Sequence, residues 1–137
     1  DPEVEVVGLL TTLTTEHDRV SMHGVRRSLL EAQARSVGVP LSTVELPTPC
    51  DNADYERAME RALAPFLAAG VEHVAFGDLF LEDVRRYREE RLARAGLEAL
   101  FPLWGRDTTE LAREFLALGF VAHLTCVDPR QVRRELC

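Results

Sequence analysis

The stretch VAFGDLFLED, residues 74–83, decides the fold class. An apolar run stops at Gly-Asp, resumes for three residues, and then ends in two carboxylates before an arginine-rich segment. Such a short apolar run predicts a buried strand, and the charged segment after it predicts a helix. Two interpretations of Gly77 and Asp78 stay open: a turn with no further role, or a ligand site at the end of a strand.

Outward from this stretch, strand-like and helical segments alternate. The predicted strands cover residues 3–13, 41–46, 71–76 and 120–127, with a further extended segment at 99–104. The predicted helices cover residues 21–37, a segment from Asp51 or Asn52 to just before Gly70, residues 81–95, and a segment capped by Asp107. Strands separated by helices pair in parallel through right-handed crossovers. The sequence therefore predicts an α/β fold over residues 1–137, a single domain with a doubly wound, mostly parallel sheet and helices on both faces (Rossmann-like).

Composition limits the classes of partner. The chain has 137 residues, 46% of them hydrophobic and 28% charged, which is ordinary for one globular domain. Its net charge of -7 argues against nucleic acid, because phosphate contacts require a basic surface. No apolar run approaches the roughly 20 residues of a membrane-spanning helix. Three cysteines are an odd number and favour a reducing compartment, so a cytoplasmic location is expected.

The carboxyl ends of the predicted strands are the expected place for a ligand, because crevices form beyond these ends in parallel sheets. Residues 11–13, Gly77 with Asp78, and residues 125–128 are each predicted to open onto this edge. Glycine allows a ligand to approach the backbone closely, and an aspartate can orient Mg²⁺ or a ribose hydroxyl. The alternative is that Asp78 only solvates the turn.

A histidine and a tryptophan are further candidates. His23 falls in the first turn of the helix predicted from Ser21, where it can act as a neutral donor to phosphate or substrate. The alternative is that His23 only packs or caps. Trp104 is the only tryptophan, and two interpretations stay open: it covers a pocket, or it closes the edge of the sheet.

The arginine-rich helix is the last candidate. Residues 85, 88 and 91 fall on one side of it and can face a polyphosphate. The alternative is a solvated face in which arginines pair with Glu89 and Glu90. Arg88 and Tyr87, at the centre, are the preferred functional residues of this face.

Four segments carry a family resemblance: MHGV…LLEAQARSVGVPL, AGVEHVAFGDLFLEDVRRYREERL, GLEALFPLWGRDTTELAREF and GFVAHLTCVD. In this order they resemble the diphthine–ammonia ligase-like ATP pyrophosphatases, which belong to the adenine-nucleotide α-hydrolase (HUP-type) group related to the PP-loop synthetases. The likeness covers residues 6–128 and is nearest to the bacterial-type members.

The resemblance implies ATP-dependent amide formation. Family members adenylate a carboxylate, release pyrophosphate, and let ammonia displace AMP, so the implied cofactors are ATP and Mg²⁺. The implied partners are an adenine nucleotide, a carboxylate-bearing substrate and ammonia. The candidate catalytic residues are His23, Asp78, Arg88 and Glu89, the candidate nucleotide-binding residues are Leu10, Thr11, Thr12, Gly77, Asp78 and Trp104, and Asp78 is the candidate Mg²⁺ ligand.

The sequence departs from the family in two places. The phosphate loop, of Ser-Gly-Gly-Lys-Asp-Ser type, lies before the matching segment in the family and is absent, and this chain has no lysine. A downstream element of Gly-Glu-x-x-x-Thr type is also absent. We favour a domain truncated at both ends over a degenerate relative. The alternative function is a noncatalytic adenine-nucleotide-binding or protein-interaction module. The oligomeric state stays open between a monomer and a homo-oligomer, although a sheet without its central strand is a poor isolated monomer.

Overall fold

The computed structural model describes residues 4–124, 127–128 and 130–133. This part of the chain has a mixed α/β structure of five strands and four helices. Along the chain these are β1 (Leu9–Thr14), β2 (Arg19–Val20), α1 (Arg27–Val37), β3 (Leu41–Leu46), α2 (Asn52–Ala68), β4 (His73–Ala75), α3 (Glu82–Arg94), β5 (Glu98–Leu100) and α4 (Thr108–Ala117).

The described strands form two sheets. In the first, β1 is central: it runs parallel to β3 along its whole length and antiparallel to β2 over its last two residues. In the second, β4 and β5 form a parallel pair with the register His73↔Glu98 to Ala75↔Leu100. The predicted parallel pairing is therefore confirmed for both pairs, while the described strands do not form one continuous sheet.

A leucine cluster joins the two sheets. Leu63 of α2, Leu92 of α3 and Leu97 are all buried and pack together. Leu10 of β1 and Val74 of β4 pack against them. Burial of each leucine side chain contributes about 2 kcal/mol. Because one cluster receives side chains from both sheets, it holds them in one structure.

Helix boundaries follow the capping signals of the sequence at three places. The Asp51 carboxylate accepts a hydrogen bond of 2.7 Å from the backbone N–H of Asp54 and caps α2. The Asp107 carboxylate accepts the first-turn backbone N–H groups of α4, both at 2.9 Å. Gly38, with φ of 77°, ends α1 in the left-handed conformation that glycine adopts without strain. These three predicted boundaries are confirmed.

The start of α1 was predicted wrongly. The helix begins at Arg27 rather than at Ser21, because the preceding residues turn back onto β1 as the short strand β2. The backbone N–H of Ser21 donates to the carbonyl oxygen of Thr12 at 2.9 Å, so Ser21 is part of the sheet edge. His23 therefore lies in the turn between β2 and α1 rather than in a first helical turn.

The two ends of the described chain also differ from the prediction. Residues 4–8 are not in a strand, and Val4 and Val6 are more than half exposed. The strand predicted over residues 120–127 is not present in residues 120–124, where Val121 and Leu124 are largely exposed. Residues 125 and 126 lie outside the described residues. Within the described ranges, no helix is long and apolar enough to cross a membrane.

Candidate functional site

The loops after β4 and β5 lie side by side, because these two strands are parallel neighbours. The backbone N–H of Phe76 donates to the carbonyl oxygen of Leu100 at 2.9 Å, which extends the pairing by one residue. Further along, the N–H of Gly105 donates to the carbonyl oxygen of Leu79 at 2.9 Å. The first loop carries Gly77 and Asp78 and the second carries Trp104, so these predicted site residues belong to adjacent segments.

Gly77 leaves its surroundings open. Its φ is not in the left-handed region, and a Cβ atom built on it would meet no atom within 4 Å. Neither backbone conformation nor local packing therefore requires glycine at this position. Open space against the backbone is what close approach of a ligand needs.

Asp78 forms an ion pair with Arg88 of α3. Nε of Arg88 lies 2.7 Å from Oδ2 of Asp78, and the Asp78 side chain is 19% exposed. The angles at these two atoms are outside those of a hydrogen bond, and both atoms are buried without another partner in the described structure. Opposite charges at this 2.7 Å separation attract each other whatever the angle between the groups. The carboxylate is therefore held by charge, and its hydrogen-bonding capacity is not used up.

Aromatic rings pack beside the Asp78–Arg88 ion pair and continue along α3 to Arg85. The Phe76 and Phe101 rings stack with their centroids 5.6 Å apart, and the Trp104 ring meets Phe101 edge-on at 5.9 Å. The Arg88 guanidinium carbon lies 4.2 Å from the Phe76 centroid. That of Arg85 lies 5.0 Å from the Phe101 centroid and 4.8 Å from that of Trp104. Contacts between a guanidinium and a ring face contribute about 0.5–2 kcal/mol each. The arrangement is a row of rings covered by two arginines.

The predicted face of α3 exists, and each of its arginines has a carboxylate partner. Arg85 donates from Nε to Glu89 at 2.7 Å, and Arg88 has Asp78. Nη2 of Arg91 lies 2.5 Å from a carboxylate oxygen of Glu56 on α2. The Arg85–Glu89 pair matches the alternative stated from the sequence, whereas Arg88 and Arg91 pair with carboxylates outside α3. Arg88 and Arg91 also hold α3 against its neighbours, because Asp78 lies in the loop after β4 and Glu56 lies on α2.

The beginning of α2 lies beside the same face. Burial raises the pKa of the Tyr55 hydroxyl, and the nearby Tyr87 raises it further, while the positive charge of Arg88 lowers it. Cys50, in the loop after β3, also acts to raise this pKa. The segment that follows β3 and the segment that follows β4 are therefore close to each other around Arg88.

Other predicted site residues lie elsewhere. His23 is exposed and makes no hydrogen bond or ion pair to a described residue. Leu10, Thr11 and Thr12 occupy the middle of β1 rather than its end, because β3 continues alongside to Leu46 and the strand runs on to Thr14. Their predicted position at the strand end was wrong. No hydrogen bond in the described structure joins Thr11 or Thr12 to Asp78.

The described residues contain no group of three or more His, Cys, Asp or Glu side chains able to hold a metal ion. Asp78 is a single carboxylate whose charge is balanced by Arg88. Mg²⁺ commonly binds through one or two carboxylates together with phosphate oxygens and water. Asp78 can supply the carboxylate ligand of Mg²⁺. The phosphate oxygens would have to come from the nucleotide.

Sequence reasoning missed Tyr55 and the two stacked phenylalanines, whereas it placed Arg85 on the candidate face of α3. Phe76 directly precedes Gly77, so its position was a usable signal. Phe101 and Tyr55 could not be found in this way, because only the paired strands and the packed helix bring them to the site. Comparison with protein-family models, with curated proteins and with solved structures finds no match for this chain.

Proposed function

We propose that the chain is the ATP-binding domain of an ATP-dependent amide ligase resembling diphthine–ammonia ligase. The observation that supports this most is the meeting of Asp78, Arg88 and Trp104 at the carboxyl ends of the parallel strands β4 and β5. That edge of a parallel sheet is where nucleotides bind in α/β folds. The site combines a carboxylate, guanidinium groups and aromatic surface, which are the chemical groups that a nucleotide requires.

Each part of the site has a role in this proposal. The aromatic surface of Phe101 and Trp104 supports the adenine. Gly77 allows the nucleotide to approach the backbone, and Asp78 orients the ribose or an ion that arrives with the phosphates. Arg88 stabilises negative charge as the α-phosphate is attacked. Mg²⁺, when bound, would supply Lewis-acid stabilisation of the same charge. His23 and Glu89 are the remaining candidates for catalysis.

The proposal includes the finer fold and setting expected from the sequence. The two parallel pairs would belong to one doubly wound, Rossmann-like (HUP-type) sheet, which their shared leucine cluster supports. The protein would act in the cytoplasm, on a carboxylate-bearing substrate and ammonia, as a homo-oligomer.

The second candidate is a noncatalytic module that binds an adenine nucleotide or a protein. Specific contacts favour it: Asp78 is paired with Arg88, and Glu89 is paired with Arg85. Two candidate catalytic carboxylates are thus engaged in ion pairs.

Product analysis separates the two candidates. The purified protein is incubated with ATP, Mg²⁺ and ammonia plus a panel of carboxylates, and AMP and pyrophosphate are measured. The ligase proposal predicts both products in equal amounts, with loss of activity in Asp78→Asn and no loss in Arg86→Lys, which alters an exposed arginine outside the site. ATP binding without products supports the noncatalytic module. Absence of both binding and products contradicts the ligase and the nucleotide-binding module, and leaves the protein-binding module.

A further inference from the structure

Arg85 is fixed in place but leaves part of its guanidinium free. Its Nε donates to Glu89 at 2.7 Å, and its planar group lies against the Phe101 and Trp104 rings. These contacts restrict both the position and the plane of the guanidinium. The side chain is 37% exposed, so one side of the group remains open to solvent.

The terminal nitrogens of the Arg85 guanidinium are the atoms available to a ligand. Neither Nη1 nor Nη2 of Arg85 hydrogen-bonds to a described residue, since the one hydrogen bond of this side chain uses Nε. Arg91 differs, because its Nη2 atom lies 2.5 Å from Glu56. Arg88, one helical turn from Arg85, also contacts its carboxylate through Nε rather than through a terminal nitrogen. Two neighbouring arginines thus present their terminal N–H groups.

We infer that the terminal nitrogens of Arg85 bind an oxyanion of the ligand that occupies the Asp78 and Trp104 site. This inference rests on the proposed function and narrows the helix face predicted from the sequence, residues 85, 88 and 91, to the terminal nitrogens of one arginine. A guanidinium offers parallel N–H donors that match the two oxygens of a carboxylate or the oxygens of a phosphate. The oxyanion has two sources, a phosphate of ATP or the carboxylate of the acceptor.

Pre-organisation is the physical reason for choosing Arg85. A free arginine loses rotamer entropy when it binds an anion, whereas Arg85 has already been ordered by Glu89 and the two rings. Glu89 accepts a hydrogen bond only from Nε of Arg85, so it orients the guanidinium without occupying the terminal N–H donors. Arg86 provides the contrast: it is exposed and has neither an ion pair nor a ring contact with described residues.

The test uses variants that separate charge from geometry. Arg85→Lys keeps the positive charge but loses the planar pair of donors, and Arg85→Met keeps the aliphatic stem without charge. Arg86→Lys is the matched control. Thermal unfolding checks that each variant folds, and Arg85→Lys decides the outcome should Arg85→Met be unfolded. Calorimetric titrations use four probes: ATP, adenosine, inorganic tripolyphosphate and glutarate.

The expected result is that Arg85→Lys weakens binding of at least one anionic probe by about tenfold or more. Adenosine binding is expected to stay unchanged, and Arg86→Lys is expected to match the unsubstituted protein. Equal loss for ATP and tripolyphosphate identifies phosphate as the oxyanion, whereas a loss confined to glutarate identifies the acceptor carboxylate.

Three results overturn the inference. Unchanged binding of every anion by Arg85→Lys and Arg85→Met excludes a role for the terminal nitrogens, although the proposed function survives if ATP still binds. An equal loss for adenosine shows that Arg85 only packs the rings. Absence of binding for all four probes contradicts the inference and the proposed function together. Conversely, Arg85-dependent binding of tripolyphosphate with no preference for ATP supports the inference and contradicts the nucleotide proposal.

Discussion

Nε of Arg88 lies 2.7 Å from Oδ2 of Asp78, and this contact ties the middle of α3 to the loop that follows β4. Both atoms are buried, so each charge would be poorly solvated without the other. The same arginine covers the Phe76 ring. Arg88 therefore connects the charge of the candidate site to the packing of the fold, and its replacement is expected to affect both.

Arg88→Met is expected to lower the free energy of unfolding by about 2 kcal/mol, because it leaves the Asp78 carboxylate largely buried without its partner. The double variant Asp78→Asn with Arg88→Met is expected to recover part of that loss, since no unpaired charge remains. Urea unfolding of the single and double variants measures the coupling, with Arg86→Met as the surface control. Additive losses in the double variant would show that the two residues do not interact energetically.

Gly8→Ala tests the contact between the residue preceding β1 and Phe66 of α2. A Cβ atom on Gly8 would lie 2.7 Å from Cε1 of Phe66, which is closer than carbon atoms tolerate. We expect a loss of about 1–3 kcal/mol in the free energy of unfolding, as for other overpacked sites. Chemical denaturation measures it. Phe66→Leu removes the clash when it is combined with Gly8→Ala. The loss of unfolding free energy that Phe66→Leu causes in the Gly8→Ala variant should therefore be smaller than the loss it causes in the unsubstituted protein. Equal losses would refute the clash.

Asp107→Ala should destabilise α4. The Asp107 carboxylate accepts the backbone N–H groups of Thr109 and Glu110, and alanine leaves both without that acceptor. A loss of about 1 kcal/mol is expected, visible as a lower urea midpoint by circular dichroism. Asp107→Asn retains an oxygen acceptor and serves as the control. An alanine variant as stable as the asparagine variant would count against the cap.

Tyr55 should make stability depend on alkaline pH. Burial raises the pKa of its hydroxyl above the ordinary value of 10.0, so the folded state holds this proton more tightly than the unfolded state. The stability contributed by Tyr55 is therefore complete below pH 10.0 and is lost as the pH rises from there through the folded pKa. Ultraviolet absorbance titration of the folded protein, with Tyr55→Phe as reference, measures the ionisation. A Tyr55→Phe variant with the same decline of stability at alkaline pH would exclude this residue as its source.

Local signals in the sequence predicted much of the fold correctly. Asp51 and Asp107 were predicted as caps and Gly38 as a stop, because capping depends on residues within one turn of each other. The segment 41–46 was predicted as a strand with the bounds that β3 has. Ser21 failed as a cap for a tertiary reason: pairing with Thr12 outcompetes the local helical signal.

The candidate site could be predicted only in part. The Gly-Asp dipeptide after an apolar run indicated a loop at a strand end, and helical spacing placed Arg85 and Arg88 on one face. The ring contact of Arg85 with Phe101 and the ion pair of Arg91 with Glu56 could not be predicted, because Phe101 and Glu56 come from segments distant in sequence. The sheet was overestimated for a similar reason: apolar segments such as residues 120–124 have strand-like composition, yet strand formation requires a neighbouring strand.

Trp104 provides the most direct test of the central claim that an adenine nucleotide binds where β4 and β5 end. It is the only tryptophan in the chain and lies against Arg85 and Phe101, so its fluorescence reports on this site alone. Titration with ATP and Mg²⁺ is predicted to change the emission in a saturable way, and Arg88→Met should require a higher ATP concentration for the same change. Emission that stays constant up to millimolar ATP, with no heat of binding by calorimetry, would contradict the claim.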